Sequence, residues 1–366
     1  MQMNLSQIIM VLIALFLTYL AIVKKYEPLL LLPLAFGMMI ANVPMARLSA
    51  YDEGGLLFFL YKGIDLGIYP PMIFLCIGAM TDFGPLIANP KSALIGLGGQ
   101  LGIFPAMGGA LLLGKIIPGM EPFTVQEAAA IGIIGSSDGP TSIYTAGVLA
   151  SHLLPVITIA AYSYMALVPI IQPPIMRALT TKKERVVEMK ELKKVTRTQK
   201  IIFSIAITLA TLIFVPEAGT LISMLMLGNL IRESGATDRY VRTLTNHLLN
   251  ILTLLIGISV GATATADRIL SPETLLIIGL GLFAFAFGTV GGVVIAKILC
   301  KITRGKVNPL IGNSGVSAMP MAARVSQKLG QEYNPHNHLL MHAMGPIVSS
   351  TIASAIIAGV FIRAFG

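Results

Sequence analysis

The sequence predicts an all-α polytopic membrane protein: two inverted repeats of about five spans each, with one re-entrant hairpin per repeat. Three observations carry that expectation. Of 366 residues, 55% are hydrophobic and only 12% charged, with a mean hydropathy of +0.81, more apolar sequence than a soluble core needs. One basic stretch, 177–200, interrupts the apolar pattern near its middle. Short glycine-bearing strings on its N-terminal side return on its C-terminal side in the same order.

The first span is expected over 5–23. Leu5 to Val23 is about long enough to cross a bilayer. Without a basic leader or a clear cleavage site it reads as a retained span rather than a signal peptide. The first half then offers spans near 29–41, 71–88, 93–114 and 155–174. The second half offers 201–215, 219–231, 248–264, 273–300 and 338–362. Several are short and must tilt or be buried in a bundle. Between the halves, Arg177, Lys182, Lys183, Arg185, Lys190, Lys193, Lys194, Arg197 and Lys200 face only Glu184, Glu188 and Glu191. This stretch reads as a cytoplasmic linker with a short helix from Lys183 to Val195, dividing the chain into 1–176 and 201–366.

Four ordered matches support the repeat. Leu34-Ala35-Phe36-Gly37-Met38-Met39-Ile40 pairs with Leu225-Met226-Leu227-Gly228-Asn229-Leu230-Ile231. Leu75-Cys76-Ile77-Gly78 pairs with Leu255-Ile256-Gly257. Leu94-Ile95-Gly96-Leu97-Gly98 pairs with Ile277-Ile278-Gly279-Leu280-Gly281. Ile134-Gly135-Ser136-Ser137-Asp138-Gly139 pairs with Ile311-Gly312-Asn313-Ser314-Gly315-Val316. Apolar-glycine strings recur by chance, so the common order carries the argument rather than any one match. An odd number of spans per half makes the repeats inverted. With the linker in the cytoplasm, nineteen of the 26 Lys and Arg residues fall inside. Arg47, Lys62, Lys115, Arg268 and Arg363 fall outside, and both termini lie outside.

Two stretches remain, near 123–150 and 308–330. Both carry Gly and Pro in mid-run, and both must enter and leave on one side for the span count to hold. They read as re-entrant hairpins meeting near the midplane, where non-helical backbone is tolerated only when buried in protein or lining a cavity. The first holds Asp138 within Gly135-Ser136-Ser137-Asp138-Gly139-Pro140-Thr141. A carboxylate at bilayer depth costs roughly 2.5–3.5 kcal/mol on insertion scales, so a cation, a proton or a partner must compensate it. Ser136, Ser137, Asp138 and Thr141 offer the oxygen donors a hard cation such as sodium takes. The bland alternative is an Asp that caps a half-helix. The second hairpin offers Asn308, Asn313, Ser314 and Ser317 as neutral oxygen donors; helix packing through small polar residues is the alternative.

Arg324 follows that run. A guanidinium beside a membrane cavity suits a carboxylate ligand, unless it merely snorkels from a helix end. Tyr164 lies in an apolar span, where most tyrosines pack and a few donate protons. His338 and His342 have helical i, i+4 spacing but no obvious third ligand, so a headgroup-facing pair outweighs a metal site. His152 and His247 read as interfacial. Cys76 and Cys300 lie in apolar runs and read as buried free thiols. HExxH, Walker and CxxC patterns are absent from the sequence. The net charge of +9 is explained by cytoplasmic loops rather than by nucleic acid.

Three motifs together resemble a known family: Gly135 to Thr141, Asn308 to Ser326, and Leu340-Met341-His342-Ala343-Met344-Gly345-Pro346. The chain is similar over nearly its whole length to the membrane β subunit of sodium-pumping, biotin-dependent decarboxylases acting on oxaloacetate, glutaconyl-CoA or methylmalonyl-CoA. The resemblance implies that Asp138, with Ser317 and Asn308, binds a sodium ion and exchanges it for protons. It implies that Tyr164 helps deliver the consumed proton, and that Gly312 and Arg324 belong to the polar helix. Carboxybiotin would be carried on a partner, not on this chain, with Arg324 a candidate for its carboxylate. The implied partners are a carboxyltransferase α subunit, a biotin carrier subunit and a small membrane subunit of γ or δ type, in a homo-oligomer within the bacterial inner membrane. Some members carry Asn after the Gly-Pro of the last motif; here Ile347 follows Pro346, which puts a cation contact at that position in doubt. Two readings compete: a stand-alone sodium-coupled carboxylate transporter, and a non-catalytic membrane scaffold.

Overall fold

Helices account for almost all regular structure in the computed structural model, which describes residues 3–25, 28–44, 48–116 and 121–366 (the side chains of 115, 165 and 166 excepted). Arg47 therefore lies outside the described residues, as does the Lys115 side chain. In chain order the helices of the first half are α1 (Leu5–Ile22), α2 (Pro28–Ala41), α3 (Leu56–Asp65), α4 (Tyr69–Met80), α5 (Gly84–Ala88), α6 (Ala93–Gly99), α7 (Ile103–Ile116), α8 (Val125–Gly132), α9 (Gly139–Leu149) and α10 (Leu154–Leu179). The rest are α11 (Lys182–Arg185), α12 (Arg197–Phe214), α13 (Gly219–Ser234), α14 (Asp238–Arg242), α15 (Leu249–Thr263), α16 (Ala266–Ile269), α17 (Pro272–Ile302), α18 (Met321–Tyr333) and α19 (Leu340–Phe365). No strand occurs among the described residues.

Six helical runs are long and apolar enough to cross a membrane, and two bent pairs raise that to eight. The expected spans over 5–23, 93–114, 201–215, 248–264, 273–300 and 338–362 each coincide with one of the six. The long runs start where side chains cap them. Asn4 accepts from Gln7 N at 2.8 Å at the head of α1, and Thr196 accepts from Gln199 N at 3.3 Å at the head of α12.

The expected span at 71–88 is drawn differently. α4 ends at Met80, and the apolar run pairs instead with α3 across a 69° bend. Asp82 forms the break. It accepts from Gly84 N at 2.8 Å and pairs with Lys200 Nζ at 2.7 Å. Partial burial works to raise its pKa, but the bonds from Lys200 and Gly84 hold it below the ordinary carboxylate value. The second bent pair is α10, bent by 61° between Tyr164 and Leu167. Pro169 lies within it, and a proline clashes with the carbonyl four residues back.

The linker also departs from expectation. The helix expected over 183–195 shrinks to α11, and residues 187–196 run non-helical. α10 extends through Arg177 to Leu179, and α12 starts at Arg197, inside the stretch read as linker.

Packing is reciprocal between the halves. α2 lies against α15, and α13 against α4. Glycines let the backbones touch: a Cβ on Gly78 would stand 1.8 Å from Leu225 O, and one on Gly261 2.1 Å from Leu34 O. α17 runs through the middle, against α6, α10 and the two broken segments described below. A Cβ on Gly99 would stand 1.8 Å from the Gly315 carbonyl. Gly99→Ala is therefore expected to destabilise the fold by about 2 kcal/mol or more, read as a lower melting temperature in detergent. Cys76 and Cys300 are buried free thiols.

Candidate cation site

The first broken segment begins where Thr124 caps α8, accepting from Glu127 N at 3.2 Å while Glu127 Oε2 accepts from Thr124 N at 2.7 Å. α8 tightens into a 3₁₀ turn over Ile133–Ser136. Ser137 then takes a left-handed conformation, φ 56°, and the helix stops. Asp138 is extended, and Pro140, the second residue of α9, has its φ already set for a helix. The second segment behaves alike. Asn308 Oδ1 accepts from Leu310 N at 2.9 Å, a 3₁₀ turn runs over Pro309–Gly315, and Val316 leaves it extended before α18. Both expected hairpins thus break near the positions where Gly, Pro and hydroxyl residues cluster.

The two breaks touch. Ser317 N donates to Ser136 O at 3.1 Å. Asp138 is 4% exposed and lies beside this junction. Its Oδ1 accepts from Thr141 N at 3.3 Å, so the capping role is real. Its Oδ2 accepts from Ser354 Oγ of α19 at 2.6 Å. No Lys, Arg or His nitrogen pairs with it among the described residues. Around it Ser137 Oγ, Thr141 Oγ1 and Tyr162 OH are buried with no protein partner. The Tyr162 ring covers the break closely enough that a Cβ on Gly139 would stand 2.9 Å from it. An acidic group with two hydrogen bonds, no basic neighbour and several unspent oxygens nearby fits a small hard cation or a proton. No group of three His, Cys, Asp or Glu side chains gathers among the described residues, so hydroxyl and carbonyl oxygens would complete any cation shell.

The predicted cation ligands divide among three places. Ser136, Ser137, Asp138, Thr141 and Ser317 meet at the junction. There Ser136 Oγ accepts from Asp138 N at 3.3 Å, and Ser317 Oγ lies 2.8 Å from Ser350 Oγ. Asn313 and Ser314 belong to a neutral network instead. Asn313 Nδ2 donates to Gln172 Oε1 at 2.7 Å and to Ala322 O at 2.9 Å, Gln172 Nε2 donates to Asn313 O at 3.0 Å, and Ser326 Oγ donates to Asn313 Oδ1. Asn308 is engaged elsewhere, its Nδ2 donating to Arg185 O and Val187 O at 3.0 and 2.8 Å. Tyr164 is buried and its hydroxyl donates to Ile278 O of α17 rather than toward Asp138. Arg324 is exposed on α18, and no side-chain hydrogen bond or ion pair of its guanidinium occurs among the described residues. The expected interfacial His152 is exposed and pairs with Glu127 at 2.8 Å.

Sequence reasoning missed Ser350 and Ser354, Gln100 and Tyr162. Gln100 Nε2 donates to Ser350 Oγ at 2.7 Å, which ties the junction to the middle of the first half. The available signal was the i, i+4 spacing of Ser350 and Ser354 in an apolar run, which puts both on one helix face.

The fold and this junction define a multi-pass helical membrane protein with an internal carboxylate–hydroxyl site suited to cation handling. The profile of the Na+-transporting oxaloacetate decarboxylase beta subunit matches residues 6–365, and the chain belongs to that family. It is 54% identical to methylmalonyl-CoA decarboxylase subunit beta of Veillonella parvula, covering 96% of this chain and 91% of the relative. It is 51% identical to glutaconyl-CoA decarboxylase subunit beta of Acidaminococcus fermentans, over 98% and 93%. It is 45% identical to oxaloacetate decarboxylase beta chain of Klebsiella pneumoniae, over 99% and 96%.

Proposed function

We propose that this chain is the membrane subunit of a sodium-pumping decarboxylase, releasing CO2 from carboxybiotin and driving sodium outward. The observation that carries the reading is the contact of two broken segments at a buried carboxylate with no Lys, Arg or His partner among the described residues. Carboxybiotin arrives on a biotin carrier partner, after a carboxyltransferase partner has loaded it. The exposed Arg324 is free to take its carboxylate bidentately. The C–N bond breaks, CO2 leaves, and the electron pair stays on the ureido nitrogen, which takes up one proton. Tyr164 assists that proton delivery. A small membrane subunit of γ or δ type and further copies of this chain complete the assembly.

Sodium is the cargo. Asp138 with Ser136, Ser137, Thr141 and Ser317 holds it, and protons replace it when it leaves outward. Asn308, Asn313 and Ser314 support this set from the second segment. Two states of differing sodium affinity are required. The reciprocal packing of α2 on α15 and α4 on α13 supports an inverted repeat, which gives each segment access to one side. The proposal divides the chain into 1–176, a cytoplasmic linker and 201–366, in the inner membrane with both termini outside. The test is the assembled enzyme in vesicles with labelled sodium. The expected result is sodium transport coupled to CO2 release and blocked by avidin. Uptake of a carboxylate by this chain alone, insensitive to avidin, would instead establish a secondary transporter.

A further inference from the structure

The first half of the charged linker is built into the fold rather than strung across it. Arg185 is buried, and its guanidinium donates to Thr180 Oγ1 at 2.9 Å and to Tyr333 OH at 2.6 Å, with further bonds to the Arg177 and Thr180 carbonyls. It also lies 4.8 Å over the Tyr333 ring. Met189 packs against the apolar cluster that contains Leu310, Leu329 and Leu339. Between these anchors two carbonyls are doubly used. Arg185 O and Val187 O accept from Asn308 Nδ2 at 3.0 and 2.8 Å, and from Asn337 Nδ2 at 3.4 and 3.1 Å. Both amides are buried. Asn334 Nδ2 adds a bond to Glu188 Oε1 at 2.7 Å.

Asn308 begins the second broken segment, and Asn337 follows α18, which ends it. One pair of linker carbonyls therefore holds both feet of that segment. A carbonyl has two lone pairs, so each is filled by the two amides. The far end of the same segment is Ser317, whose N–H reaches Ser136 and whose hydroxyl reaches Ser350. We propose that residues 185–189 form a strap that sets the position of the second segment, with Asn337 and Asn308 as positioning residues, so that strap movement changes cation affinity at the Asp138–Ser317 junction. This gives Asn308 a different role from the ligand role implied by family resemblance. Its side-chain oxygen caps Leu310 and its amide is spent on the linker. Lys182, Lys183, Lys190, Lys193 and Lys194 on either side of the strap are exposed, so a docking partner that shifts the strap reaches the junction through the feet. The proposal rests on the sodium reading of that junction.

Two variants of the assembled enzyme separate the strap from simple instability. Asn337→Asp keeps the size of the side chain but turns an oxygen toward the two carbonyls. Arg185→Lys loosens the strap at its other anchor, where Arg185 meets Thr180 and Tyr333, and leaves the Asn308 and Asn337 side chains unaltered. Decarboxylation is measured against sodium concentration, and hydrogen exchange is followed at 185–189 and 316–319. Both variants should raise the sodium half-saturation by about threefold or more, keep turnover at saturating sodium within about twofold, and speed exchange at both places. Faster exchange at 185–189 with unchanged half-saturation and unchanged 316–319 overturns the proposal. So does loss of turnover in Asn337→Asp while Arg185→Lys behaves as the unaltered enzyme, since that assigns Asn337 to folding alone. If the unaltered enzyme shows no sodium dependence, the functional reading fails instead, and the strap then stands or falls on whether exchange at 316–319 rises with that at 185–189.

Discussion

Asp138→Asn is expected to abolish sodium-dependent decarboxylation and sodium transport together, while the protein still folds. Asparagine has nearly the same shape. Its amide oxygen can keep accepting from Thr141 N, so the cap on α9 survives. Its second position can face Ser354 as a donor, since a hydroxyl both donates and accepts. What is lost is the charge. Removing one partner of a buried ionic contact costs about 3–5 kcal/mol, and about 1.4 kcal/mol is tenfold in affinity. Sodium affinity should therefore fall by at least about 100-fold. The measurement is CO2 release and labelled-sodium flux from the same vesicles, with melting temperature as the control on folding. Full sodium-dependent decarboxylation by this variant would remove Asp138 from the coupling. A folded but inactive variant separates the proposed cation role from the capping bond to Thr141 N that the same side chain makes.

Asp138 was legible because a carboxylate has no cheap place in an apolar run, and because Gly, Pro and Ser around it announce a broken helix. The second break at 308–320 was legible from its Gly, Pro and Ser residues alone, since it carries no carboxylate. Other features depended on partners distant in sequence. Asp82 sat inside an expected span because nothing nearby in the chain signals Lys200, the cation that lets the helix end there. α3 escaped notice because its apolar face is interrupted by Lys62 and Asp65, which pair with each other at 2.8 Å. The linker reads as helical by composition, yet the Arg185 and Val187 carbonyls go to Asn308 and Asn337, and a helix would withdraw them. Tertiary hydrogen bonding overrides a weak propensity there. The neutral donors of the second segment share one composition but have three different employments. Ser317 sits at the junction, Asn313 and Ser314 in the Gln172 network, and Asn308 at the strap. Residue type fixes what a side chain can donate or accept, and only the packing decides to whom.

Ser354→Ala carries the second largest expected effect: the sodium half-saturation should rise about tenfold with turnover at saturating sodium little changed. A serine in a membrane helix commonly bonds back to its own backbone, which makes it uninformative in sequence. Thr351 O lies 2.9 Å from the Ser354 hydroxyl, but the nearer and charged acceptor for its one hydrogen is Asp138 Oδ2 at 2.6 Å. It is fully buried, so water cannot stand in for it without a rearrangement. A hydrogen bond to a charged group is worth about 1.5–3 kcal/mol. Part of this orients the carboxylate, and part supplies an oxygen that a cation on Oδ2 can share. Alanine removes both while leaving the charge in place, so the site binds the same ion more weakly rather than losing it. Ser354→Thr keeps the hydroxyl and should restore most of the affinity, which a packing role alone would not do. If alanine at this position leaves the sodium dependence unchanged, the cation lies against Oδ1 and the Ser137–Thr141 side of the carboxylate, and α19 contributes shape rather than ligands.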